Sequence, residues 1–226
     1  MNIGGLEKFS LIDYPGKISA VIFTQGCNFR CPYCHNPELL SIRKGIINEE
    51  SVLIFLEKRK KQLEAVVITG GEPTLQSDLI PFLTKIKQMG YLIKLDTNGS
   101  DPEIIKKITE LNLVDYVAMD IKASLDKYSE VVGVKVNKEN ILKSINLLIQ
   151  DNIDYEFRTT ITQEQLNNFD IEEIGKLLKG SKKYVLQKYI YRENKKDLPK
   201  FTAFDDKKMI DFKIKIKPYF DEILIR

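Results

Sequence analysis

Six short runs of apolar, β-branched residues alternate along this chain with six longer amphipathic runs. The short runs cover residues 18–24, 65–69, 92–96, 116–122, 155–161 and 184–190, and a further candidate strand covers 222–225. The amphipathic runs, at 49–63, 78–89, 102–111, 138–150, 171–179 and 205–217, carry helix punctuation. Asn48 and Ser77 stand at capping positions, Pro102 follows Asp101 at the favoured first helical position, and Gly180 and Pro218 follow the last two helices. Strand-then-helix units repeated in series predict an α/β fold with a parallel sheet and helices outside. Nothing in the pattern marks a linker or an internal repeat, so residues 1–226 read as a single domain.

Periodicity does not decide whether such a sheet is open or rolled. Working residues of a (β/α) barrel gather at the carboxyl ends of its strands, and the unusual residues of this chain fall at those places. A cysteine-rich loop follows the first predicted strand, Gly70-Gly71-Glu72-Pro73 the second, and Asp96-Thr97-Asn98-Gly99 closes the third. Asp120 and Lys122 end the fourth, Arg158 lies in the fifth, and Gln187 and Tyr189 lie in the sixth. The expected architecture is an incomplete (β/α)6 TIM-like barrel with parallel strands, extended by a short C-terminal strand.

The stretch from Cys27 to His35 holds all three cysteines and the only histidine of the 226 residues. In a cluster of four irons and four sulfides each iron takes one outside ligand. Three thiolates would therefore hold three irons and leave the fourth open to a small molecule. Other readings compete. Cys31-Pro32-Tyr33-Cys34 has the form of a dithiol redox site, but that leaves Cys27 unused. Cys31 to His35 fits the c-type haem pattern, which goes with export, and residues 1–10 show no signal-peptide pattern. A Cys3His zinc site would have to turn the adjacent Cys34 and His35 onto one metal. Three structural cysteines without a ligand would be the plainest account, and their clustering argues against it.

Composition excludes several classes. The odd cysteine count argues against a disulfide framework and suits a reducing compartment. No apolar run approaches the about 18 residues needed to cross a bilayer. A cytoplasmic location is expected, with no membrane association. A net charge of +3, without an arginine–aromatic stripe, gives little support to nucleic-acid binding. The densest basic region, 176–200, reads as a solvated face with a loop at 192–199. A docking surface is its rival.

The cysteine spacing C-x3-C-x2-C with Tyr33 before the last cysteine, followed by Gly70-Gly71-Glu72-Pro73, resembles the radical S-adenosylmethionine (SAM) superfamily. Cys34-His35-Asn36, Asp96-Thr97-Asn98-Gly99 and Asp120-Ile121-Lys122 resemble its glycyl-radical-enzyme activases. The opening, Leu11 to Gly16 through Gln25-Gly26-Cys27, is most similar to activating proteins of anaerobic ribonucleoside-triphosphate reductase. The motifs are specific up to Lys122 and looser beyond it.

The resemblance implies a 4Fe-4S cluster on Cys27, Cys31 and Cys34, with SAM chelating the open iron. One electron passed to the sulfonium would release a 5′-deoxyadenosyl radical, which would take hydrogen from a glycine in the glycyl-radical domain of the reductase. No protein residue is expected to be catalytic beyond cluster and SAM, because the cofactors carry the chemistry. Gly70 and Gly71 would let backbone approach the ligand, followed by Pro73, and Glu72 would accept a hydrogen bond from the methionine ammonium. A tight turn with a solvated glutamate is the plain rival. Tyr33 would lie near the adenine. Asp96 and Asp120 would hold a monovalent cation or the ribose region, or else cap their loops. Lys122 and Arg158 would neutralise the SAM carboxylate, or else form a strand-end ion pair. His35 is expected to hydrogen-bond in the loop without being a ligand.

The chain also departs from its relatives. Formate-lyase activases carry a histidine near the end of the sixth strand, where this chain reads Leu186-Gln187-Lys188-Tyr189-Ile190. It lacks cysteines for an auxiliary cluster, which implies an external reductant such as flavodoxin or ferredoxin. The rival functions are activation of a pyruvate formate-lyase type enzyme, a small-molecule radical SAM reaction such as deazaguanine synthesis, and a non-catalytic metal-binding or electron-transfer protein.

Overall fold

A computed structural model describes residues 1–150, 152–191 and 199–226. Eight strands form one sheet in the order β1 to β8: β1 Ile3–Ser10, β2 Ser19–Thr24, β3 Ala65–Gly70, β4 Leu92–Thr97, β5 Tyr116–Asp120, β6 Asp154–Ile161, β7 Ser181–Lys188 and β8 Phe220–Ile225. Six of the helices were expected: α1 Glu49–Arg59, α2 Leu79–Gln88, α3 Pro102–Glu110, α5 Lys138–Gln150, α6 Asn168–Leu177 and α7 Asp206–Ile216. A one-turn helix, α4 Tyr128–Val131, lies between β5 and α5. The chain divides into two compact units.

The first unit comprises Met1–Asn28, Asn36–Thr97 and Asp101–Ala118. Strands β2, β3 and β4 pair in parallel without a slip, Ala20 opposite Val66 and Val66 opposite Ile93. Strand β1 lies outside the strands expected from the sequence; it pairs antiparallel with β2 and carries register shifts. Its sequence hides it, because Gly4, Gly5, Glu7 and Lys8 are weak strand formers and only tertiary pairing overrides them. The cap at α1 is as expected, with Asn48 Oδ1 accepting from Glu50 N at 2.7 Å. Asp101 caps α3 by accepting from Ile104 N at 3.1 Å. At α2 the cap position falls to Asp78 rather than Ser77, and its side chain makes no capping bond.

The second unit comprises Phe29–His35, Asn98–Ser100 and Met119–Arg226. Here β6, β7 and β8 pair in parallel, with Phe157 opposite Tyr184 and Tyr184 opposite Ile223. The C-terminal strand expected at 222–225 is therefore real and starts at Phe220. A full capping box, in which Asn167 accepts from Asp170 N and Asp170 from Asn167 N, starts α6 ahead of the expected Ile171. Strand β5 ends at Asp120 and β7 at Lys188, so Lys122 and Tyr189 lie just past their strands rather than inside them.

Candidate functional site

In the first unit, three adjacent strand ends carry Cys27, Glu72 and Asp96. Gly70 closes β3 at φ +111, a left-handed conformation that glycine adopts without strain. A Cβ on Gly70 would fall on the Thr24 backbone, and one on Gly71 on the Gly26 carbonyl. The close approach these glycines allow is thus to the chain's own backbone leading into Cys27. Hydrogen bonds use that proximity: Gly71 N donates to Thr24 O at 2.9 Å and Glu72 N to Gly26 O at 2.8 Å. On the other side Gly26 N donates to Leu39 O at 2.8 Å and Cys27 N to Leu40 O at 3.2 Å.

Glu72 is buried, at 1% exposure, and the solvated glutamate of the plain rival is set aside. Its Oε1 accepts from Thr74 N at 3.1 Å, Thr74 Oγ1 at 2.7 Å and Thr97 Oγ1 at 2.7 Å. Pro73, also buried, starts the 3-10 turn that Glu72 caps. Asp96 Oδ1 lies 2.7 Å from the ammonium of Lys94, two residues earlier on the same strand face. Thr74, Thr97 and Lys94 were not singled out by sequence reasoning. Thr97 sits inside a flagged motif, and the i, i+2 spacing of Lys94 to Asp96 was the available signal.

In the second unit, the loop Phe29–His35 is braced by Arg30 N, which donates to Val132 O at 2.8 Å, and by an edge contact of Phe29 with Tyr128. Cys34 N donates to Cys31 O at 3.1 Å and closes the Cys-Pro-Tyr-Cys turn. Burial raises the Cys31 thiol pKa, and the Lys122 ammonium opposes that rise. Tyr33 is buried edge-on to Phe201, which meets Tyr189, which stacks on His35 at 5.4 Å and 29°. Burial, then the neighbouring Cys31, pushes the Tyr33 hydroxyl far above its ordinary pKa.

Asp120 sits between two cations, 2.9 Å from Arg158 Nε and 2.9 Å from Lys122 Nζ. Burial alone would raise its carboxyl, but Arg158 and Lys122 more than offset this and hold its pKa at about 2. For Lys122 the effects oppose as well: burial would lower its pKa, and Asp120 lifts it well above the ordinary value. The Tyr128 hydroxyl accepts from Lys122 N and donates to Asp120 O, both at 3.3 Å, which fixes the backbone between the charges. The strand-end ion pair is therefore formed. Asp120 thus holds Lys122 and Arg158 on one carboxylate.

The cysteines are free thiols, Cys27 buried and Cys31 and Cys34 half-buried. Among the described residues no group of three or more Cys, His, Asp or Glu is gathered as a metal site. In the basic region, Lys176 pairs with Glu173 at 2.8 Å and Lys188 with Asp206 at 2.6 Å, as a solvated face would. Most of the expected loop at 192–199 lies outside the described residues. No helix among the described residues is long and apolar enough to cross a membrane.

Residues 21–178 match the Radical SAM superfamily. A Methanocaldococcus jannaschii protein that bears the name of a glycyl-radical enzyme activating enzyme is 38% identical over 99% of this chain and 95% of its own. The pyruvate formate-lyase-activating enzyme of Clostridium pasteurianum is 31% identical over 83% of this chain and 81% of its own. Among solved structures, Streptococcus suis SuiB bound to S-adenosylmethionine superposes on 91% of this chain with a TM-score of 0.70 at 13% identity. This chain spans about half of SuiB, 49% of its length. QueE from Escherichia coli superposes on 99% of this chain and 92% of its own, with a TM-score of 0.60 at 17% identity. At such identities these two likenesses concern the fold alone.

Proposed function

This chain belongs to the radical SAM superfamily and is homologous to its glycyl-radical-enzyme activating enzymes, and we propose that its target is the glycyl-radical domain of an anaerobic ribonucleoside-triphosphate reductase. Membership implies an enzyme with a four-iron cluster and SAM, and a glycyl-radical enzyme as the protein acted upon. What supports this choice of target is the resemblance of the opening, from Leu11 to Gly16 and on through Gln25-Gly26-Cys27, to reductase activases. The 31% identity to the Clostridium enzyme favours a second reading, activation of a pyruvate formate-lyase.

The donor set suits the cluster, since three free thiols are soft ligands for iron. In this reading Cys27, Cys31 and Cys34 hold three irons. When bound, the cluster would supply the one-electron reduction that cleaves SAM, the chemistry used to take hydrogen from a glycine. Lys122 favours the thiolate of Cys31 by its charge. Glu72, held by Thr74 and Thr97, would receive the methionine ammonium, with Gly70, Gly71 and Pro73 forming the turn beside it. Lys122 and Arg158 would meet the methionine carboxylate. Tyr33 would serve the adenine, and Asp96 and Asp120 would serve the ribose region. A monovalent cation is the weaker half of that expectation, because each of these carboxylates has a cationic side chain of its own. His35 acts through its place in the aromatic group. With three cysteines in the chain, electrons come from a separate donor, flavodoxin or ferredoxin. We take residues 1–226 to work as one domain, in the cytoplasm.

The test is anaerobic. The protein is reconstituted with iron and sulfide, reduced and given SAM, together with either the reductase or a formate lyase. Production of 5′-deoxyadenosine with a glycyl-radical signal on the reductase is the expected result. A radical on the lyase alone would transfer the proposal to the second reading, and stoichiometric zinc without cleavage would remove it.

A further inference from the structure

The sheet of the first unit has an apolar face that includes Val21, Val67 and Ala118, with Leu92 packed against it. Alternation along β4 puts Leu92, Lys94 and Asp96 on the same side of the strand, and Lys94 lies in register with Val67. A lysine there is costly, since its side chain is 3% exposed and ammonium groups are seldom buried unless paired. Its partner is Asp96, 13% exposed, at 2.7 Å. Asp96 is followed by Thr97, whose hydroxyl holds Glu72.

This arrangement does not suit an exchangeable cation at Asp96. A second positive charge on that carboxylate would meet the Lys94 ammonium at short range, where little water is present to screen the repulsion. We propose that the ammonium of Lys94 is the cation of this site, a tethered positive charge that orients Asp96 in place of a bound sodium or potassium ion. Lys94 is then a positioning residue. Fixed by its own strand, it needs no ion from solution, and the geometry of Asp96 is independent of the salt present. The inference rests on the proposed function only in taking Asp96 as part of the SAM site.

The test compares the reconstituted protein with its Lys94→Met variant in potassium chloride, sodium chloride and tetramethylammonium chloride at constant ionic strength, reading both melting temperature and SAM affinity. The natural protein should be the same in all three salts. Lys94→Met should bind SAM roughly tenfold more weakly in tetramethylammonium, the scale of a contacting pair's coupling. It should recover in potassium or sodium, with a matching rise in melting temperature. An alkali-ion dependence in the natural protein would overturn the inference, as would a Lys94→Met variant indifferent to the cation. Should Lys94→Met fail to fold, the double variant Lys94→Met/Asp96→Asn should fold, because it removes both charges of the pair rather than one. A double variant that also fails would count against the pairing. The melting data test Lys94 even if SAM does not bind, so a failure of the SAM reading is seen separately.

Discussion

Thr97, the last residue of β4, donates its side-chain hydroxyl to Glu72 Oε1 at 2.7 Å and ties the turn after β3 to the neighbouring strand end. The same oxygen accepts two bonds from Thr74. A carboxylate held in this way need not reorganise when an ammonium arrives, which is the value of preorganisation.

Thr97→Val keeps the shape of the side chain and removes this donor. Hydrogen bonds to charged groups are worth about 1.5–3 kcal/mol, so SAM affinity should fall roughly tenfold or more while iron content is unchanged. Thr97→Ser should bind like the natural protein. Titration calorimetry with SAM, alongside an iron assay, checks this, and an unaltered affinity in Thr97→Val would count against the role of Glu72.

Asp120 predicts an acid-side pH dependence. Its folded pKa of about 2 is below the ordinary value, so its contribution to stability is complete above about pH 4 and is lost as pH falls toward 2. The difference amounts to about 2 kcal/mol. Asp120→Asn leaves Lys122 and Arg158 without their shared carboxylate and should cost about 3 kcal/mol at neutral pH, with a flatter acid limb. Urea unfolding from pH 6 to pH 2 measures both. Parallel acid limbs would remove the explanation.

Gly71→Ala should strike the Gly26 carbonyl and displace the backbone that leads into Cys27. Overpacking typically costs about 1–3 kcal/mol, and backbone is less forgiving than a side chain. Reduced stability and lower iron uptake are expected together. Gly5→Ala, whose methyl would meet only the Phe23 side chain at 3.4 Å, is the control.

The stacking of His35 on Tyr189 gives a prediction for the loop of Cys31 and Cys34. An aromatic pair is worth about 1 kcal/mol beyond its buried area, so Tyr189→Ala should release iron to a chelator roughly fivefold faster than Tyr189→Phe. His35→Ala should keep most of its iron. Complete loss in His35→Ala would make that histidine a ligand.

Short-range signals in the chain carried the class of fold and the identity of the chemistry. Alternating apolar runs, the caps Asn48 and Asp101, the cysteine spacing and the Gly70-Gly71-Glu72-Pro73 turn are all decided within a few residues. Periodicity and turn chemistry need no distant partner. Strand β1 escaped because its propensity is poor and its pairing with β2 supplies what its own residues do not. Element ends slipped for the same reason, as at Lys122 and Tyr189.

Tertiary structure decided which side chains hold one another. Glu72 and Thr97 are separated by 25 residues, and Asp120 and Arg158 by 38. Each pair meets only because strands far apart in the chain are brought side by side. Lys94 and Asp96 are near neighbours in sequence, yet their pairing matters because the sheet buries the lysine among apolar groups. Residue type and spacing announce which groups are available for chemistry; burial and distance, which arise only on folding, determine their charge partners and their orientation.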